Sequence, residues 1–420
     1  MRGVVPRREP QVAKLLPFVG HVLADDGAAT DGRPPNPPPT PGQRVAMAAA
    51  DPRSFLNILP SGAPEAAGDL EHTLQACRRH LDRYLHDGSF RRLDRPTLAV
   101  IAFGHGPDRV TAVVGDLEVS AFGRSFDPTT FDDAEVLPHE RVRQDRVRHL
   151  VRYLEVVGVT SSPVALTHRP SAGVDAAVAA VVTGPPALAV RNPDGVDVTV
   201  WLVDDPTGLD GLTTAVADAG RLYVADGHHR AAAIAAHEPG SGRVLCALLP
   251  ADQLTVLPFH RRVTGLGDAP VDPAAVLRVL TARGLRPRPL AGPSAPSAPG
   301  VVHVTVGAAW WVLDLTDRRV LDDPVEALDV RLVEREVIVP LLSTLGARAG
   351  EVDPWTDPRV ASVAAPRGLA ALASPDAVGL ALAAPAVEDV LRVAEAGAVM
   401  PPKSTYVLPK LRSGLLVVPR

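Results

Sequence analysis

Residues 221–237 read RLYVADGHHRAAAIAAH, and this stretch decides the fold. Leu222, Tyr223 and Val224 form a short apolar run of the kind that makes a buried strand. From His228 to His237 the Ala-rich text has high helix propensity. A strand passing straight into a helix through a glycine predicts an α/β unit. Asp226 reads as the helix N-cap, its carboxylate accepting from first-turn N–H groups. Gly227 allows a tight turn and close backbone approach. His228, His229 and Arg230 fall in the first helical turn, where unpaired N–H groups and the positive dipole end favour an anion. Arg230 adds a fork that matches phosphate. Either histidine can donate a further bond or shuttle a proton near neutral pH. On this reading Arg230→Ala weakens anion binding and barely touches stability, while Asp226→Ala costs about 1 kcal/mol through the lost cap. The bland alternative is a plain cap with two surface histidines. Metal binding is a third reading. Adjacent histidines on a helix diverge by about 100°, so both rarely bind one ion; a divalent metal would sit near Asp226, with His228 and Glu140 beside it.

Two other segments carry chemistry. Residues 136–149 read VLPHERVRQDRVRH. Pro138 fixes the approach to a helix, and Glu140 beside His139 has the character of a general base. The tail reads MPPKSTYVLPKLRSGLLVVPR from Met400. Lys403, Ser404 and Thr405 place an ammonium and two hydroxyls on one loop, suited to phosphate or carboxylate, and Lys410 follows. The spacing is not that of a P-loop. Lysine is scarce: among 43 basic residues only Lys14, Lys403 and Lys410 are lysine. Where arginine replaces lysine almost everywhere, a retained lysine hints that a compact ammonium is needed.

Length and composition set the frame. The chain has 420 residues, 46% of them apolar and 22% charged, enough for sizeable cores in two or three domains. Aromatics are only 4%, so those cores must be built from Ala, Val and Leu. The net charge of −5, with no long basic stripe, gives no case for duplex DNA. Two cysteines, Cys77 and Cys246, exclude a disulfide framework and a Cys-based zinc cage. No spanning helix or leader peptide is expected, which predicts a cytoplasmic protein.

The organisation predicted is an N-terminal segment 1–50 with a Pro-rich loop at 27–42, then a main α/β domain 51–285. A linker or loop 286–300 and a C-terminal α/β region 301–420 follow, the tail of the latter returning to the main site. Helices are expected over 65–85, 143–156, 228–237, 326–339 and 387–396. Strands are expected over 98–103, 110–114, 178–182, 196–203, 222–224, 243–249, 301–306, 310–315, 377–382 and 406–408. The irregular alternation favours a mixed α/β (α+β) fold with an irregular mixed sheet.

The Pro138-His139-Glu140 text, the YVADGHHR text at 223–230 and the MPPKSTYVLPKLRSGL text at 400–415 resemble a prokaryotic family catalogued as domain of unknown function ten-fifteen. The resemblance runs from about residue 10 to the end. It departs at 34–52, where relatives carry a PPYDV-like segment and this chain reads PPNPPPTPGQRVAMAAADP. The DGHHR element is also similar to the strand–turn–helix phosphate motif of the ParB/sulfiredoxin-like superfamily, which includes free-serine kinases.

The resemblance implies a nucleotide-dependent phosphotransferase using ATP or ADP, with Mg²⁺, on the hydroxyl of a small metabolite such as serine. Glu140, His228 and Asp226 would be catalytic, with Asp226 facing any metal. Gly227, His229 and Arg230 would hold nucleotide phosphates. His139, Lys403, Ser404, Thr405 and Lys410 would take the substrate or a second phosphate. The partners expected are thus nucleotide and small molecule, with no membrane and with room for a homo-oligomer. The rival readings are a nucleotide-binding regulatory protein without turnover and a metal-dependent phosphohydrolase.

Overall fold

The computed structural model describes residues 12–24, 41–60, 69–106, 109–123, 134–191, 195–267, 270–346 and 352–420. Most of the Pro-rich stretch 27–42 lies outside them, as do residues 192–194. The fold is mixed α/β, in two compact units: residues 1–254 with 409–420, and residues 255–408.

The first unit is built on an eight-stranded mixed sheet. Its order is Val136–Leu137, Leu222–Asp226, Val164–His168, Arg243–Pro250, Val110–Glu118, Leu98–Phe103, Asp197–Val203 and Leu188–Arg191. Leu222–Asp226 runs parallel to Val136–Leu137 and antiparallel to Val164–His168, and Val164–His168 runs parallel to Arg243–Pro250. The remaining neighbours are antiparallel. Leu98, Val100, Val113, Leu166 and Val224 pack with Ala231 and Ile234 of the His228–His237 helix in one aliphatic core. Small alanines let that helix approach closely, which is how a chain poor in aromatics reaches interior density.

A four-stranded sheet brings the tail into the same unit. Its order is Phe90–Arg92, His21–Leu23, Leu416–Pro419, Val159–Thr160. The last residue is locked as well. Arg420 donates to both Asp116 oxygens, at 3.1 and 2.5 Å, and both side chains are buried. The anchored tail is what fixes Lys410 in this unit.

The second unit carries a sheet ordered Arg288–Leu290, Ala309–Asp314, Val301–Val306, Ala377–Ala381, Thr255–Thr264, Val360–Ala364. Thr405–Leu408 pairs with the first half of Thr255–Thr264.

Three expectations need correction. The units divide at 254/255, not within 286–300, and residues 301–420 are shared between them. Part of 286–300 is an edge strand, with Pro289 opposite Trp311. An edge tolerates a proline because no donor is needed on its outer side. Residues 178–182 are not a strand but the end of the helix Ala172–Val182. The Ser171 cap, accepting from Val174 N, and the alanines outweigh the β-branched run. The helix expected over 326–339 is interrupted: Asp329–Val333 passes through a π-turn, Glu334–Ile338, into Val339–Leu345.

Candidate active site

The strand Leu222–Asp226 ends at a register shift between Val224 and Asp226, with Asp226 opposite Ala165. The strand therefore runs one residue further than a cap at Asp226 would allow. Gly227 is the helix cap, at φ 109°, and it makes no side-chain capping bond. Two constraints demand glycine there. The backbone lies in the left-handed region. A Cβ would also stand 2.7 Å from Nη2 of Arg230 and 2.9 Å from its Nε.

Arg230 folds back beneath the turn. Its Nη1 donates to Ser162 O at 3.0 Å, to Pro163 O at 2.8 Å, and to Ser162 Oγ. Its Nη2 donates to Asp226 Oδ2 at 3.1 Å. The guanidinium thus ties the start of one strand to the end of its neighbour. The expectation that Arg230→Ala leaves stability untouched does not survive this geometry, because two backbone carbonyls would lose their donor. Asp226 lies between two cations: Oδ2 faces Arg230 and Oδ1 lies 3.6 Å from Nζ of Lys410.

The Pro138–Glu140 loop meets the same helix start. The His139 N–H donates to Nε2 of His228 at 3.3 Å, and the Arg143 N–H donates to Nε2 of His229 at 3.0 Å. Because Nε2 of His228 accepts, its proton sits on Nδ1, 3.5 Å from Oε2 of Glu140. Burial drives the His228 pKa down to about 3, so the ring is neutral at physiological pH. His139 is likewise held down to about 3 by burial and then by the neighbouring His228, whose ring centroid is 4.6 Å away edge-on. Nδ1 of His139 is buried and makes no hydrogen bond among the described residues. Glu140 is the accessible member, with 37% of its side chain exposed.

Glu140, His139, Asp226, Gly227, His228, His229, Arg230 and Lys410 therefore come together in the first unit. Lys403, Ser404 and Thr405 belong to the second. There Ser404 Oγ is buried and donates to Pro401 O at 2.6 Å. Ser162 and Pro163 were not legible as partners of Arg230, since two residues ahead of a strand carry no signal that their carbonyls need a donor. Among the described residues no group of three His, Cys, Asp or Glu is arranged to hold a metal. Both cysteines are buried, and burial pushes the Cys77 thiol up to about 11. No helix among the described residues is long and apolar enough to cross a membrane.

Comparison with known proteins places the chain. No curated protein sequence matches it. A free serine kinase in complex with AMP superposes with a TM-score of 0.37 at 14% identity, covering 73% of this chain and 91% of that one. SbnI with C-terminal truncation, from Staphylococcus aureus, gives 0.39 at 13% identity, covering 73% and 87%. A conserved hypothetical protein from Pyrococcus furiosus gives 0.35 at 13% identity, covering 73% and 94%. These are distant likenesses of fold. The model of the family described as "Protein of unknown function (DUF1015)" matches residues 33–331, a span that holds both the Pro138–Glu140 loop and the DGHHR turn. Matched over more than half its length, the chain belongs to the DUF1015 family.

Proposed function

We propose that the protein is a nucleotide-dependent phosphotransferase acting on the hydroxyl of a small metabolite, in the manner of a free serine kinase. One observation carries the reading: the accessible Glu140 carboxylate sits 3.5 Å from a buried, neutral, tautomerically fixed His228, at the mouth of a helix whose cap uses no side chain. A base that must accept a hydroxyl proton has to be aimed, and the His228 Nδ1–H does the aiming. Phosphoryl transfer asks a protein mainly for positioning and positive charge. Lys410 and the helix start supply the charge beside Asp226. Arg230 serves by shaping the turn, since its Nη1 is engaged by Ser162 and Pro163. His139 and His229 brace the loop through the bonds of the histidine pair.

Lys403 and Thr405 are assigned an oxyanion, a carboxylate or a phosphate, on their residue types, whereas the Ser404 hydroxyl is engaged by Pro401 O. Among the described residues no group of three His, Cys, Asp or Glu forms a Mg²⁺ cage, and Asp226 is one carboxylate shared by two cations. No step is therefore routed through a protein-bound metal.

The test is consumption of ATP or ADP by the purified protein with a panel of amino acids and polyols. A phosphate ester of one hydroxyl compound is expected. Absence of both nucleotide binding and product overturns the reading. The engagement of Arg230 by protein carbonyls favours one rival, a nucleotide-binding regulator without turnover, which tight binding with no product would reveal.

A further inference from the structure

The loop before the strand Thr405–Leu408 contains a conformational anomaly. Lys403 has φ 55°, and every other positive-φ residue described is a glycine. Glycine enters the left-handed region without penalty, whereas a lysine there is strained, and strain of this kind persists only where the surroundings enforce it. The enforcing group is Arg261. Its side chain is buried, its Nη1 donates to Lys403 O at 2.9 Å, and its Nη2 donates to Pro402 O at 3.2 Å. Nη1 also reaches Phe259 O at 3.3 Å, so the guanidinium pins the loop to the strand Thr255–Thr264. Burial pulls the Arg261 pKa down only to about 10, so it remains a cation at neutral pH. Holding the two loop carbonyls of Pro402 and Lys403 with a buried charge is an expensive way to make a bend that glycine makes unaided.

The side chain so presented is one of three lysines among 43 basic residues. It is exposed, and its ammonium lies 5.7 Å from the centroid of the Phe259 ring. Among the described residues no carboxylate lies within ion-pair distance of it. Both the backbone strain and the choice of residue therefore serve the ammonium rather than the turn.

We infer that Arg261 is a positioning residue that locks the Pro402–Lys403 backbone so that the Lys403 ammonium is offered to an oxyanion of a bound ligand. The inference rests on the assignment of an oxyanion to Lys403 above. The ligand group is a phosphate or a carboxylate, which share this recognition chemistry.

The experiment compares the full chain with K403G, R261K and the double variant, measuring melting temperature by calorimetry and binding of inorganic phosphate and of acetate by titration. K403G should melt about 1–3 °C higher, since the strain is relieved. It should bind the preferred anion roughly tenfold to a hundredfold more weakly, since a charged hydrogen bond is lost. R261K keeps a cation but loses the fork, so its binding should weaken in part, and the double variant should bind no worse than K403G. Preference for phosphate over acetate, or the reverse, identifies the group. A stabilised K403G that binds both anions like the parent would overturn the inference, as would a destabilised K403G or a parent chain that binds neither anion. If nucleotide turnover is absent but Lys403-dependent anion binding persists, the phosphotransferase reading fails and this inference is supported.

Discussion

Nδ1 of His228 and Oε2 of Glu140 stand 3.5 Å apart, and they come from two motifs that the sequence presents far from each other. The relationship is directional. Since the His139 N–H occupies Nε2 of His228, the remaining ring proton must face the carboxylate. A neutral histidine in this position steadies the carboxylate without neutralising it.

The turn that carries this pair should be intolerant of any side chain. Gly227→Ala meets both a φ of 109° and the Arg230 guanidinium 2.7 Å away. Gly240→Ala is the control, at φ 78° with open space around it. The control should lose about 1 kcal/mol and Gly227→Ala about 2–4 kcal/mol in urea unfolding, the excess reporting the clash. Equal losses would mean that Arg230 moves aside freely.

Arg230→Ala should lower stability by about 2–4 kcal/mol, because the carbonyls of Ser162 and Pro163 and the Asp226 carboxylate all lose a donor. Denaturant midpoints with an unchanged slope would measure it. A loss under about 0.5 kcal/mol, the range of ordinary surface changes, would return Arg230 to the role of a free anion fork.

Much of this architecture is readable from residues alone, and the failures have specific causes. The strand, the glycine and the Ala-rich helix at 222–237 are local features, and the structure has them at Leu222–Asp226, Gly227 and His228–His237. Asp226 was misassigned as the cap because N-cap preference is a local rule, whereas the cap moved when Leu222–Asp226 extended by pairing with the distant Val164–His168 strand. The pairing of Lys410 with Asp226 depends on a tail strand, Leu416–Pro419, joining His21–Leu23 and Val159–Thr160. Lysine scarcity pointed to the residue but could not supply its partner. The Arg261 clamp was not legible, because the adjacent Arg261 and Arg262 look alike in sequence although only Arg261 is buried.

Acid should weaken the fold through the two buried histidines. His139 and His228 have folded pKa values near 3, below the ordinary value of 6.5. The unfolded chain therefore binds more protons between those limits, and stability falls as pH drops from about 6.5 towards 3. The slope is up to about 1.4 kcal/mol per pH unit for each ring. His139→Gln should make the dependence of unfolding free energy on pH shallower over pH 6.5 to 4.5. An unchanged slope would show that His139 is solvated.

The C-terminal lock should be sensitive to half-removal. Arg420→Met leaves a buried Asp116 without its cation and should cost about 3–5 kcal/mol. Combining it with Asp116→Leu should recover most of that loss, since a buried pair replaced by apolar residues is often near neutral. Calorimetric melting of the three variants checks the pattern, and additive losses would contradict it.

The most direct test of the central claim is ³¹P NMR of phosphoryl transfer from ATP or ADP to free serine and related hydroxyl compounds, run on the parent chain and on Glu140→Gln, with nucleotide affinity measured alongside. The account predicts a new ester resonance in the parent and a rate lower by about 10²–10⁴-fold in the variant, the usual contribution of a positioned base, at unchanged nucleotide affinity. An ester formed equally fast by both proteins would contradict it.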